Sequence, residues 1–139
     1  MIILDTNVVS ELMRQQPDPN VINWIQSYNA DRFTLTAITV AEIMRGLTRL
    51  PEGKRRRELA NSFDQFINKA FSQKILPFDT RAAMIFGDLA ANREKSGKSI
   101  DTVDMMIAAI AKTHSAAIAT RNTRDFEACQ ITLMNPWDA

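Results

Sequence analysis

The chain opens with a three-residue apolar run, Ile2-Ile3-Leu4, that breaks onto a carboxylate, Asp5. Such a run is too short for a helix and too continuous for a strand with one wet face. It predicts a strand covered on both faces, as strands of parallel sheets are. Parallel neighbours need crossover connections, so the same run demands helices on both sides of a sheet. It also puts Asp5 at the carboxyl end of a strand, where open parallel sheets form their ligand crevice. Two roles stay open for Asp5 at this point: delivering a functional group, or capping the helix that begins near Val8.

The remaining sequence supplies the alternation that the first run demands. A short helix is expected from Val8 to Arg14, stopped by Pro17 and Pro19, and another from Asn20 to Tyr28 with Val21, Trp24, Ile25 and Tyr28 at helical spacing. Phe33-Thr34-Leu35-Thr36 has the composition of a strand. The helix from Thr39 to Leu50 carries Val40, Ile43, Met44 and Leu47 as its apolar stripe, which leaves Glu42 on the solvent side. A longer helix, Lys54 to Ala70, begins with a basic turn that opposes the helix dipole. Ile75 to Phe78 reads as a strand that Pro77 ends or confines to an edge. Helices over 80–95, closed by Gly97, and over 101–114 follow, then strands over 116–120 and 131–134 separated by a polar loop. The pattern is that of an α/β domain with a central, largely parallel sheet flanked by helices, spanning 1–139 as one unit.

Composition narrows the function classes. With 45% hydrophobic and 24% charged residues, the chain matches neither disordered nor membrane proteins, and no apolar run approaches the roughly 20 residues of a spanning helix. The apolar start has no basic lead and Cys129 is the single cysteine, so the expected location is the cytoplasm. Net charge is only +1, yet Arg45, Arg49, Lys54, Arg55, Arg56 and Arg57 lie close in sequence, as do Arg93, Lys95 and Lys98. Such stretches either follow a phosphate backbone or form a solvated helix face.

The chemistry available is that of oxygen ligands. His114 and Cys129, one of each type, cannot build a typical zinc site or a nucleophilic triad, and the four glycines form no phosphate-binding loop. Asp5 and Asn122 both follow strands and so face the crevice edge. Asp104 shares a helix face with the small residues Ala108 and Ala111, which leaves room for the carboxylate and a bound group. Its other reading is structural: with Asp101 as N-cap, Asp104 falls in the first turn, where the helix dipole favours an acid. Converging carboxylates repel unless a hard cation lies between them, and Mg²⁺ accepts one or two carboxylates while keeping several waters.

Asp5-Thr6-Asn7 after a strand, Ile38-Thr39-Val40-Ala41-Glu42 with Gly46 beyond it, Asp104 before Ile107-Ala108-Ala109, and Thr120-Arg121-Asn122 together resemble the PIN domain. More closely the chain resembles the VapC-type and FitB-like ribonuclease toxins of bacterial toxin–antitoxin pairs, over its whole length and including the ending Asn135-Pro136-Trp137. The resemblance implies that Asp5, Glu42 and Asp104 gather around Mg²⁺ or Mn²⁺, and it moves Glu42 from solvent into the site. Asn122 stands where the family often has a fourth acid; it is left to hold a water, with Asp125 as a substitute or as a turn residue. Thr6, Asn7 and Thr120 then orient the acids, although Asn7 is equally a candidate helix cap. Arg121, Arg124, Arg45 and Arg49 become candidates for RNA phosphate contacts. The implied reaction is metal-dependent hydrolysis of RNA by activated water. The implied partners are a VapB-like antitoxin, contacting the helices around Val8 to Tyr28 and Thr39 to Leu50, and a second copy in a homodimer. Two other functions fit parts of the pattern. An aspartate-based phosphotransfer domain also places Asp after its first strand, but Leu4 and Asn7 stand where its second acid belongs. A non-catalytic binding domain would explain Asn122.

Overall fold

The computed structural model describes residues 1–71, 74–99 and 101–139. Its strands are β1 Ile2–Leu4, β2 Phe33–Thr36, β3 Ile75–Leu76, β4 Ala117–Ala119 and β5 Leu133–Met134. Its α-helices are α1 Thr6–Leu12, α2 Pro19–Gln26, α3 Ala37–Thr48, α4 Lys54–Ala70, α5 Thr80–Lys95 and α6 Thr102–Thr113. The strands form one sheet in the order β3-β2-β1-β4-β5, and every pairing is parallel.

The opening run occupies the centre of this sheet with no exposed surface at Ile2, Ile3 or Leu4. Side chains alternate across a strand. Ile2 and Leu4 therefore pack with residues of α1, α2, α3 and α4, while Ile3 joins Ile118 and the apolar residues of α5 and α6. Full burial of each such side chain contributes about 1.5–3 kcal/mol, so a polar substitution in β1 strikes the core layer that its side chain faces. Trp24 is a core residue, tilted against Tyr28 and Phe33.

From β1 the chain steps outward through β2 to β3, then returns to lay β4 on the other side of β1. The direction of winding thus reverses between β1 and β4. This is the switch point at which a crevice opens beyond the carboxyl ends of the strands. The first residues past those ends are Asp5 and Thr120, and the Asp5 N–H donates to the carbonyl of Ala119 at 2.9 Å.

Several helix limits differ from the sequence reading because polar caps act earlier than the apolar stripes suggest. Asp5 caps α1, so that helix begins at Thr6 rather than Val8. The Thr36 hydroxyl accepts from the Thr39 N–H and starts α3 at Ala37. Asp101 caps α6 as expected, and the helix spans Thr102–Thr113 with exposed His114 as its C-cap. Gly97 closes α5 at φ 72°, with Gly97 N–H on Glu94 O and Lys98 N–H on Arg93 O. A left-handed residue satisfying two terminal carbonyls is the Schellman arrangement, and glycine adopts it without a Cβ penalty. β3 is an edge strand that stops before Pro77, and β5 is shorter than the apolar run 131–134. The basic first turn of α4 has no side-chain cap, and its Lys54 pairs with Glu58 at 3.8 Å on the surface.

Candidate active site

Asp5 caps α1 with one carboxylate oxygen and is held at the ends of β1 and β4 by the other. One carboxylate oxygen, Oδ1, accepts the Thr6 N–H at 2.8 Å and so caps α1. The other, Oδ2, accepts the Thr120 hydroxyl at 2.8 Å and the Asn7 amide at 3.3 Å. Asn7 is no helix cap: its Nδ2 also reaches Thr120 Oγ1 at 3.4 Å, and its Oδ1 accepts the Arg121 N–H at 3.2 Å. These contacts fix the carboxylate from both sides of the switch point. Asp5 is 4% exposed, and burial raises its proton affinity against the lowering effect of the Thr120 and Thr6 hydrogen bonds. Glu42 and Asp125 add smaller upward pushes, so both lie within electrostatic reach.

Glu42 is half-buried and turned toward Asp5, not toward solvent as the helical wheel indicates. The Thr6 hydroxyl donates to Glu42 Oε1 at 2.6 Å and lies 3.3 Å from Thr39 Oγ1. The wheel fails because its face was drawn from apolar residues alone. Met44 is 45% exposed, and the buried positions of α3 are Thr39, Ile43 and Leu47. Three residues of helix leave Glu42 about 60° from Thr39, so restoring the buried threonine brings Glu42 to the edge of the inner face. Thr36 and Thr39 are supporting residues that the sequence reading missed. The available signal was a polar residue at each buried end of a strand-to-helix turn.

Asp104 reaches the same region from the first turn of α6. Its backbone N–H donates to Asp101 Oδ1 at 3.1 Å, so Asp101 does the capping and leaves the Asp104 carboxylate free for other work. Ala108 and Ala111 do not make room for it: both are fully buried in the layer that packs α6 against the sheet and α5. Their small size serves close packing. Burial pushes Asp104 up to about 7, with further upward contributions from Asp101, Asp5, Asp125 and Glu42 in that order. Strong mutual perturbation of acids in a cleft is a mark of a functional site.

The strand-to-loop segment after β4 splits the two candidates for the fourth position. Asn122 is exposed and contributes through its backbone, donating its N–H to Thr120 Oγ1 at 3.1 Å and accepting the Asp125 N–H at 3.0 Å. Asp125, half-buried in the 3₁₀ turn Thr123–Phe126, is the acid whose charge is felt by both Asp5 and Asp104. Arg121 and Arg124 are exposed beside it, while Arg45 and Arg49 lie exposed about one and two turns beyond Glu42.

The donor set suits a hard divalent cation. Asp5, Glu42, Asp104 and Asp125 offer only oxygen, and the charges of Glu42 and Asp125 raise the proton affinity of Asp5 and Asp104, an imbalance that a cation would relieve. Among the described residues no three acid, histidine or cysteine side chains are gathered closely enough to enclose an ion unaided. A divalent cation held there would need water to complete its coordination.

A parallel sheet with its switch point between β1 and β4, ringed by acids from β1, α3, α6 and the loop after β4, defines a class, and the chain belongs to it: the PIN domain family, whose sequence model matches residues 2–130. Within the family the chain is 43% identical over 138 residues to the VapC ribonuclease Y4jK of Sinorhizobium fredii, covering 99% of each protein. It is 42% identical over 137 residues to toxin FitB of Neisseria gonorrhoeae, again covering 99% of each. The crystal structure of FitAcB from the same organism superposes over 100% of both chains with a TM-score of 0.92 at 41% identity. FitAB bound to an IR36 DNA fragment gives 0.91 at 42% identity, covering 99% of this chain and 96% of that one.

Proposed function

We propose that the chain, as a single PIN domain over 1–139, is the ribonuclease toxin of a toxin–antitoxin pair and hydrolyses RNA phosphodiester bonds with Mg²⁺, for which Mn²⁺ substitutes. The observation that supports this reading is the electrostatic reach among four acids: Glu42 and Asp125 each push up both Asp5 and Asp104. A divalent cation bound there supplies an acidified water and offsets the negative charge that develops on the phosphate. Asp5, clamped by Thr120, Thr6 and Asn7, is the anchor of the site. Thr6 orients Glu42, and Asp104, raised to about 7 chiefly by burial, would bring a further carboxylate to a bound cation. Exposed Arg121 and Arg124 hold the phosphate backbone.

Growth gives the direct test. Expression of the chain alone should arrest growth, Asp5→Ala should relieve the arrest, and co-expression of a small antitoxin encoded beside it should do the same. Equal toxicity of Asp5→Ala would remove the nuclease reading. A chain that binds RNA but cuts none would return the site to a non-catalytic role.

Asp125, rather than Asn122, supplies the fourth acid in this reading. Asp125→Asn should lower cleavage by about 10- to 100-fold, the usual cost of disturbing a group that supports a metal site. Asn122→Ala should have little effect, because its observed contacts are made by its backbone. Initial rates on one RNA at saturating Mg²⁺ separate the two, and the reverse ranking would put the fourth ligand at Asn122.

The antitoxin has a surface suited to it. An open cleft of about 760 Å³ lies between α1 and α4, with Met13 and Leu59 on its floor and Arg14, Arg55 and Glu58 at its rim. It adjoins the α1–α2 region expected to receive the partner. FitAcB and FitAB, by the names of those structures, pair FitB with a second protein. A homodimer completes the assembly, with Met84 on α5, 72% exposed, as an apolar side chain for a second copy to cover.

A further inference from the structure

The last residues of the chain come back to the crevice. The 3₁₀ turn Pro136–Asp138 packs against α2, and its Trp137 is held on both sides: its N–H donates to Asn135 Oδ1 at 3.0 Å, and its carbonyl accepts Asn20 Nδ2 at 3.0 Å. The indole is partly buried against the core that includes α1 and α2. Across it lies the guanidinium of Arg121, 5.0 Å from the ring centre. Arg121 is otherwise tied to the site by its backbone alone, through Asn7 Oδ1.

This placement is unexpected on electrostatic grounds. Arg121 follows Thr120, whose hydroxyl touches Asp5, yet no arginine of the described residues is among the charges that Asp5 or Asp104 feels. A flexible cation so close to an acid cluster is drawn into it, where it would compete with a metal ion. Yet among the described residues Arg121 forms no salt bridge; the ion pairs there involve Arg14, Lys54 and Lys74. An aromatic face attracts a guanidinium through its quadrupole while leaving the N–H edge free for a planar, two-point contact. Among the described residues the other such pair, Arg32 on Tyr28, sits just before β2, at the opposite end of the sheet.

We propose that Trp137 is a positioning residue that holds Arg121 beside the acid cluster but out of it, with its N–H edge presented to the phosphate backbone of single-stranded RNA. The inference rests on the ribonuclease reading for the identity of the ligand. It assigns to the C-terminal turn a part in substrate binding that the acids do not share.

The test is a double-mutant cycle in RNA binding. Asp5→Asn protein, expected to cut at least about 10³-fold more slowly, is titrated with a fluorescein-labelled single-stranded RNA in Mg²⁺ at several salt concentrations. Arg121→Ala should lower the slope of log affinity against log salt by about one, the signature of one lost phosphate contact. Trp137→Leu should weaken binding about two- to fivefold, whereas Trp137→Phe, which keeps an aromatic face, should recover most of the loss. In the Arg121→Ala background, Trp137→Leu should cost nothing more, since the two residues act as one. In the cutting protein the same substitutions should raise KM and leave kcat nearly unchanged.

Additive losses, or a phenylalanine no better than leucine, would reduce Trp137 to a packing residue and overturn the inference. So would RNA binding that is absent or insensitive to both residues. If the wild-type chain cuts no RNA while the binding cycle gives the expected pattern, the ribonuclease reading fails and the Trp137–Arg121 assignment stands.

Discussion

Asp5→Asn is expected to lower Mg²⁺-dependent RNA cleavage by about 10³-fold or more, because the several kcal/mol a cation contributes at the reacting phosphate are lost with its anchor. The substitution keeps the shape of the side chain and the oxygen that caps α1, so the fold should persist. Thr120→Val grades the effect. It removes the hydroxyl that donates to Asp5 Oδ2 at 2.8 Å while preserving the volume of a fully buried residue. Its expected loss is about 10- to 100-fold, the range for a group that orients a ligand. Single-turnover cleavage of one RNA, with circular dichroism to confirm folding, reads both. Cleavage by Asp5→Asn within tenfold of wild type would place the chemistry elsewhere in the molecule.

The second large effect concerns stability without metal. The Asp104 carboxyl is raised from 3.8 to about 7, first by burial and then by Asp101, Asp5, Asp125 and Glu42. The folded state therefore holds this proton more tightly than the unfolded state does. Its stabilising effect is fully present below about pH 4 and is lost as pH rises to about 7. The shift at Asp5 acts in the same direction. Each pH unit in that window costs at most about 1.4 kcal/mol for one group, less what the partial exposure of Asp104 screens, and a domain of this size loses roughly 3 °C per kcal/mol.

Melting curves in EDTA at pH 5.5 and 7.5 should show the difference. Asp104→Asn should melt higher than wild type at pH 7.5 in EDTA, and the gap should narrow at pH 5.5. Mg²⁺ should raise the wild-type melting temperature more at pH 7.5 than at pH 5.5, because the cation replaces the proton, and should do little for Asp104→Asn. A variant that melts below wild type at pH 7.5 in EDTA would mean that the Asp104 carboxylate stabilises the fold, contrary to the repulsion described. The two predictions pull apart a quantity that is usually confounded: a residue can be required for activity and costly for stability at once.

Much of this was legible before any coordinates. Short apolar runs separated by amphipathic helices imply a parallel sheet, since backbone pairing at the centre of such a sheet requires residues apolar on both faces, as Ile2, Ile3 and Leu4 are. Turn chemistry marked several helix limits, with Asp101 and Gly97 acting as their residue types dictate. The misreadings share one cause. The apolar wheel alone puts Glu42 in solvent, and spacing alone puts Ala108 and Ala111 at the wall of a binding space, because both patterns treat each helix as if it met one uniform core. Each helix instead meets a particular neighbour: α3 turns buried Thr39 inward toward Thr6, and α6 uses its alanines to approach the sheet and α5. Periodicity carries no information about which neighbour that is.

The C-terminal turn makes the same point. Asn135-Pro136-Trp137 could be read only as part of a family likeness, because nothing local tells a tail tryptophan that it will face an arginine sixteen positions earlier. The sequence by itself determined the sheet, its direction, and the acid at the end of the first strand, because these follow from local periodicity and from the obligation of every buried backbone group to find a partner. Only the tertiary structure decided which acids meet. Asp5, Glu42, Asp104 and Asp125 come from four separate segments, and the electrostatic reach of Glu42 and Asp125 to Asp5 and Asp104 follows from how the sheet's winding reverses between β1 and β4 and where α3 and α6 pack against that seam.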